Sequence, residues 1–351
     1  MQNKRPTIQD IAREAGVSIA TVSMILRQRP GAAFSEETRA RVLAVAESLG
    51  YQRQNASAVF DRPTIAVFLP LITGSYYTFI TQAVTQQAHQ LGYDTCLLET
   101  HRNGERELRL MHSLGRMGVC GVIFTAPPIN VEAAVALDRT VPTVIINNKR
   151  SDIPLDTVIT DDVRVGELVA DHLLQLGHRH VVFAEINRQW QGIPFSQRLV
   201  GVQGRFRLVP DARLTVISRS APDTLCPGSF LETRALGFDI ALEALQDESI
   251  TAFICISDYV AYGVMDALAA DGHKIPKEYS VCACDNLFAS SLAGVSLTTV
   301  DRHPIEVGNS AMELLAKQMQ RQQTGCRQPE KVTRVEYLST LVLRNSSCKP
   351  R

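Results

Sequence analysis

The first fifty residues carry apolar positions at helical spacing in three short bursts. Thr7 followed by Asp10 is a helix-start pair, since the hydroxyl can accept an N3 amide and the carboxylate favours the first turn. Ile8, Ile11, Ala12 and Ala15 then recur at helical spacing, and Gly16 stops the run. Ser18 opens a second helix, running from Ile19 to Leu26, with Val22, Ile25 and Leu26 turned inward. Ser35, with Glu36 and Glu37 in the favourable first turn, opens a third, which buries Val42, Val45, Ala46 and Leu49 and ends at Gly50. Three short helices with a glycine turn between the first two predict a helix-turn-helix. The same pattern also fits a three-helix dimerisation or docking module.

From Thr64 onward the period changes. The apolar runs IAVFLP, TCLLE, VCGVIFT and TVIIN alternate with segments of helical periodicity. After Asp161 the pattern begins again with HVVFAE, LTVIS, AFICIS and SVCAC. Continuous apolar strands joined by helices predict parallel sheets covered on both faces. Two such series predict two similar α/β lobes, and ligands of such sheets bind beyond the carboxyl ends of the strands, here between the lobes. The stretch from Tyr51 to Pro63, YQRQNASAVFDRP, is short and polar and reads as a linker.

Composition adds to this picture mainly through charge. The formal net charge is zero, but Met1 to Asn55 holds eight basic residues (Lys4, Arg5, Arg13, Arg27, Arg29, Arg39, Arg41, Arg53) against five acidic ones (Asp10, Glu14, Glu36, Glu37, Glu47). A locally basic head on a nearly neutral body suits phosphate attraction. At 351 residues, 45% hydrophobic and 21% charged, the chain has ample material for the cores of two or three domains. No apolar run reaches the roughly 20 residues of a membrane span. The opening MQNKRPTIQD lacks the apolar stretch of a signal peptide, so a cytoplasmic location is expected.

The eight cysteines are scattered, and Cys282 and Cys284 share a strand face at a spacing unlike the usual zinc or redox signatures, so reduced buried thiols are expected. There is no G-x-x-x-x-G-K-[ST] loop, G-x-G-x-x-G fingerprint, G-x-S-x-G elbow or H-E-x-x-H pair. His178 and His180 flank one arginine in LGHRHVVF, a helix-to-strand turn rather than a metal site. A sugar kinase or other nucleotide-dependent enzyme is therefore disfavoured, as is a pure sugar-binding protein, and no cofactor or metal is expected.

The run TIQDIAREAGVSIATVSMIL, followed by FSEETRARVLAVAESLGY, resembles the DNA-binding headpiece of the lactose/galactose repressor (LacI/GalR) family. TDDVRVGELVADHLLQLGHRHVVF, the R-x-x-G of Arg198 to Gly201, SDYVAYGVMDAL, SVCACDN, LTTVDRHPIEVG and the closing LVLRNSS resemble that family's effector-binding domain, built like a periplasmic sugar-binding protein. The implied architecture is an N-terminal all-α helix-turn-helix headpiece (1–55), a hinge (56–63) and an α/β effector-binding and dimerisation domain (64–345) of two doubly wound parallel-sheet lobes. The first lobe would take 64–159 and 302–326, the second 160–300 and 330–345, with 346–351 as a tail.

The resemblance implies a transcriptional regulator, most often a repressor, that binds a near-palindromic double-stranded operator as a homodimer and answers to a sugar, sugar phosphate or related metabolite. Its first, second and sixth recognition-helix residues read bases; here these are Ile19, Ala20 and Met24, and Met24 stands where an arginine that reads guanine is frequent. Thr7, Ser18, Thr21, Ser23 and Asn55 are expected at phosphates, although Thr21 and Ser23 fit equally as helix filler. Near Arg53 the family's usual proline is absent, and Ser57 stands where alanine is common. Phe60, with Val59 as the adjacent option, takes the place of the hinge leucine that wedges into the minor groove; a plain flexible tether is the alternative. No leucine heptads follow the last strand, so nothing supports a tetramerisation helix.

For the effector, the resemblance implies Arg198, Asp285 and Asn147 as polar contacts, Ser257 where asparagine is frequent, Arg302 where a neutral glutamine is common, and Tyr76 and Tyr77 in the loop after the first strand as stacking partners. Asp258 is expected to cap the following helix, and Arg302 could instead form an ion pair between lobes. If Arg198 and Arg302 both face the cleft, an anionic effector such as a sugar phosphate or sugar acid follows.

Overall fold

The computed structural model describes residues 7–26, 34–49, 62–72, 75–147, 149–150, 152–187, 197–220, 230–323 and 331–351. The chain divides into two compact units, residues 1–59 and 60–351.

In the first unit, helix α1 (Ile8–Ala15) starts at a closed capping box. The Thr7 hydroxyl accepts the Asp10 amide at 3.3 Å, and the Asp10 carboxylate accepts the Thr7 amide at 2.9 Å. The helix ends at Gly16 in the left-handed region, φ 66°, where a side chain would be strained. Helix α2 (Ile19–Leu26) and helix α3 (Glu36–Ser48) open the same way, with the Ser18 hydroxyl accepting the Thr21 amide and the Ser35 hydroxyl accepting that of Thr38. Ile11, Ala12, Ala15, Val22, Ile25, Val42 and Ala46 make one small core, with Ile8, Leu26, Val45 and Leu49 at its edge. The expected Gly50 stop and the hinge residues Asn55, Ser57, Val59 and Phe60 lie outside the described residues.

The second unit holds two six-stranded sheets. The first sheet is wholly parallel and contains β1 (Thr64–Leu69), β2 (Asp94–Glu99), β3 (Val119–Phe124), β4 (Thr143–Ile146), β5 (Asp156–Thr160) and β11 (Arg334–Tyr337), in the order β11-β5-β4-β3-β1-β2. Alternate residues supply its two faces. Ile65, Val67, Ile123, Val144 and Ile146 pack toward α4 (Ser75–Gln90) and α11 (Pro304–Gln323). Ala66, Phe68, Val122, Phe124 and Ile145 pack toward α5 (Gly104–Met117) and α6 (Val131–Asp138).

The second sheet runs β12-β10-β9-β8-β6-β7. It is built from β6 (His180–Asn187), β7 (Arg213–Ser220), β8 (Ala252–Cys255), β9 (Ser280–Ala283), β10 (Thr298–Asp301) and β12 (Thr340–Val342), the last antiparallel to β10. Helices α7 (Asp162–Leu176), α8 (Gln197–Phe206), α9 (Phe230–Ala244) and α10 (Asp258–Ala270) cover it. Cys255, Cys282 and Cys284 are buried in this core, where burial pushes the Cys282 thiol up to about 12. Thiols so placed are inert.

The chain passes between the sheets three times: from β5 into α7, from β10 into α11, and from β11 into β12. This corrects the expected lobe boundaries. Residues 334–337 pair with β5 in the first lobe rather than the second, because the alternating RVEY suits a half-covered edge position. Residues 346–351 are not a free tail. Ser346 is buried, its hydroxyl accepts the Thr298 amide at 2.8 Å, and its carbonyl accepts the Val281 amide at 2.8 Å. His178, just before β6, holds this segment through the Cys348 carbonyl at 2.8 Å, while His180 contacts Ser249 and Thr215.

Candidate functional site

Each of the two units carries its own set of candidate side chains. The first is the outer face of α2. Val22 and Ile25 are buried and fix the helix rotation, which leaves Ile19 51% exposed and Ala20 exposed, with Ser23 and Met24 half-buried. The Ser18 and Thr21 hydroxyls lie 2.9 Å apart and form the cap together. Thr7 likewise spends its hydroxyl on Asp10, at 2.7 Å.

The second set lies at the carboxyl ends of both sheets. Arg198, in the first turn of α8, donates through all three guanidinium nitrogens: Nε to Asp162 at 3.1 Å, Nη1 to the Ile256 carbonyl, and Nη2 to Asp285 at 3.3 Å. It reaches these partners because α8 lies almost against α7. A Cβ on Gly201 would collide with the Val163 carbonyl, and one on Gly166 with that of Arg198. The glycine of the R-x-x-G run is thus a close-approach residue. Arg302, on the second crossover, shares Asp162, with Nη2 3.1 Å from the same Oδ1, and contacts Thr160 Oγ1 at 3.3 Å. Its Nη1 stands 3.8 Å from Asp285, and its Nε has no acceptor among the described residues.

Two guanidiniums and two carboxylates therefore alternate in a ring, with Arg302 and Asp285 buried and Arg198 and Asp162 half-buried. Burial would push Asp162 up, but Arg302 and Arg198 outweigh it and hold the carboxyl below its usual range. Asp285 goes the other way. Burial raises it to about 6; Arg198 only partly offsets this, and the neighbouring Asp258 carboxylate pushes it up further. Arg198 is raised despite burial by Asp285 and Asp162, so it stays charged.

From the first lobe, the Asn147 amide nitrogen donates to the Tyr76 hydroxyl at 3.2 Å. Its oxygen accepts from the Thr160 amide and hydroxyl at 3.2 and 3.1 Å. Tyr76 and Tyr77 sit in the first turn of α4 rather than in the loop expected, and burial pushes the Tyr77 hydroxyl up to about 12. His101, Arg102, Asn147, Asn286 and His303 all follow strand ends at positive φ, a strained conformation for side-chain-bearing residues that is held where surrounding contacts over-determine it.

Asp258 departs from its expected capping role. Ser257 is the N-cap, its hydroxyl accepting the Val260 amide at 3.4 Å, and Asp258 is the first helical residue. Fully buried, the Asp258 carboxylate accepts from the Asp285 amide, Thr299 Oγ1, the Leu287 amide and Ser290 Oγ, and so fixes the loop that carries Asp285. Reading the residues alone missed Asp162 and Thr160. In the pair Asp161-Asp162 either carboxylate could cap α7, and only the fold shows that Asp161 does so while Asp162 turns to the arginines.

Comparison with known proteins gives matches over both the headpiece and the two-lobed domain. Residues 170–347 match the periplasmic binding protein-like domain, residues 62–192 the periplasmic binding proteins and sugar binding domain of the LacI family, and residues 7–54 the bacterial regulatory proteins of the lacI family. The chain belongs to the LacI family. Its members are transcriptional regulators, and this chain is one that binds DNA through the headpiece. It is 26% identical over 327 residues to the HTH-type transcriptional regulator DegA of Bacillus subtilis, covering 87% of this chain and 88% of that one.

Among solved structures, a LacI family regulator from Enterococcus faecium with bound ribose superposes with a TM-score of 0.67 at 21% identity, covering 82% of this chain and all of the other. The lac repressor dimer bound to operator and the anti-inducer ONPF gives 0.65 at 22%, covering 98% and 100%. At those identities the likeness is one of fold. Among the described residues no helix is long and apolar enough to cross a membrane, and no cluster of three or more ligating side chains could hold a metal.

Proposed function

We propose that this LacI-family chain is a cytoplasmic, homodimeric repressor. Its operator affinity would be set by a small polyhydroxylated effector, a sugar or sugar derivative, taken up between the two lobes. The observation that carries the effector class is the alternating ring of Arg198, Asp162, Arg302 and Asp285. A sugar hydroxyl both donates and accepts, and a ring of fixed donors and fixed acceptors answers both halves of that demand. Asn147 and Tyr76 add neutral hydrogen-bonding groups from the first lobe. Dimer symmetry would place two headpieces on the half-sites of a near-palindromic operator.

Effector binding would shift the balance between lobe arrangements, and it could change operator affinity only as far as it distinguishes them. Linkage makes the effect mutual, so operator DNA must alter effector affinity by the same factor.

An anionic effector is a second reading, favoured by the Arg302 Nε that lacks an acceptor. Each guanidinium already faces a carboxylate, so such a ligand would have to replace one of these contacts. The test is genome-wide capture of fragments by the purified full chain, repeated with pools of neutral sugars, sugar phosphates, sugar acids and nucleosides. A palindromic site whose capture changes with one pool is expected. Absence of any specific site, or indifference to every pool, would overturn the reading. Response to neutral sugars only, undiminished by Arg302→Gln, would remove the anionic alternative.

A further inference from the structure

The recognition helix is unusual in what it lacks. From Ser18 to Leu26 the chain reads SIATVSMIL, without one charged, amide or aromatic side chain. In the major groove, guanine is read by the forks of Arg or Lys, adenine by Asn or Gln, and cytosine by Asp or Glu. None of these readers is present on α2. Of the three hydroxyls, those of Ser18 and Thr21 are committed to each other and to the helix cap. Burial of Val22 and Ile25 in the headpiece core prevents the helix from rotating to present another face. What faces outward from the helix start is aliphatic, with Ile19 half exposed, Ala20 exposed and Met24 partly so.

One base-specific group in the major groove is read by apolar contact, the C5 methyl of thymine. We propose that Ile19, Ala20 and Met24 select their half-site through thymine methyl groups, so that operator discrimination at the helix start depends on methyl contact rather than on hydrogen bonds. This rests on the operator-binding function proposed above and names the chemistry by which it is achieved. Since 5-methylcytosine carries its methyl at the same place in the groove, it should be preferred to cytosine at the same positions.

The experiment begins with selection of a high-affinity site from a random duplex library by the full-length protein. Each thymine of a half-site is then replaced by uracil, which deletes one methyl and leaves the pairing intact. At least one replacement per half-site is expected to weaken binding about fourfold, the value of one buried methyl-sized group. In Ile19→Ala or Met24→Ala the same replacement should cost less than about twofold, the coupling expected when the two contacts are one. The ratio of uracil to thymine affinity is taken within each protein, so a general loss of stability cancels. Ile19→Val, which removes a single methylene, serves if the alanine variants bind too weakly.

Uracil replacements that change affinity less than twofold throughout would overturn the inference and leave the regulator reading standing. So would equal losses in the wild type and the alanine variants. Failure to enrich any site would overturn the regulator reading and this inference with it.

Discussion

The guanidinium of Arg302 lies 4.1 Å above the centre of the Tyr76 ring. Tyr76 belongs to α4 of the first lobe, whereas the acidic partners of Arg302, Asp162 and Asp285, belong to the second. A single side chain thus joins both lobes, and it occupies the aromatic face that the sequence suggested for an effector ring. A ring-shaped effector must displace Arg302 or bind beside it. Arg302→Gln removes the stack and one of the two guanidiniums that hold Asp162 ionised. Loss of one member of this partly buried network should cost roughly 1–3 kcal/mol, read from urea unfolding of the full chain. Arg302→Lys should fall between, because it keeps the charge without the planar fork. Equal stability of all three proteins would show that the contact contributes nothing net.

Gly201 and Gly204 lie on the same helix but meet different surroundings. A Cβ at 201 would strike the Val163 carbonyl, whereas one at 204 meets nothing within 4 Å. Gly201→Ala should push α8 from α7, destabilise the domain by roughly 1–3 kcal/mol and weaken the effector response by moving Arg198. Gly204→Ala should be neutral or stabilise by up to about 1 kcal/mol. Thermal unfolding with operator-binding assays distinguishes the two, and matching behaviour would contradict the close helix approach.

The folded state holds the Asp285 carboxyl near 6, against an ordinary value of 3.8. Raised in this direction, it contributes stability that is present below about pH 4 and lost as pH rises through 6. The whole difference is roughly 3 kcal/mol. Asp285→Asn does not titrate, so the stability of wild type minus variant should fall by an amount of that order between pH 4 and pH 7.5. A flat difference across this window, from denaturant titrations at each pH, would place the Asp285 carboxyl at its ordinary value.

Ser346 ties the last residues to the second lobe through the Thr298 amide and the Val281 carbonyl. Ser346→Ala leaves a buried amide without its acceptor and should cost roughly 1–3 kcal/mol. Chemical denaturation of the purified full chain measures it, and a cost within error of zero would mean that the terminal segment is not held as described.

Much of this protein is decided locally. Thr7, Ser18 and Ser35 start the headpiece helices, and Gly16 ends the first, because capping and left-handed geometry involve only neighbours within a turn. The eight apolar runs become strands of helix-covered sheets, β1, β4, β8 and β9 buried on both faces and the edge strands β2 and β7 partly exposed, and a contiguous stretch of sequence displays that apolar character. Strands β5, β10 and β11 were not legible in that way. DTVIT and TTVD are short and rich in threonine, and RVEY alternates, so their lobe is set by the strand each one pairs with.

The cleft divides along the same line. Arg198, Asp285, Asn147, Tyr76 and Arg302 could be nominated from strand-end positions and family resemblance, as could the aliphatic face of α2. Tertiary structure alone decided that Asp162 serves two arginines, that Asp258 supports the loop carrying Asp285, and that Arg302 covers Tyr76. The physical reason is that ion pairs and hydrogen bonds are fixed at about 3 Å between residues on different elements, well beyond one helical turn or strand pair in sequence, and no local pattern encodes such a distance.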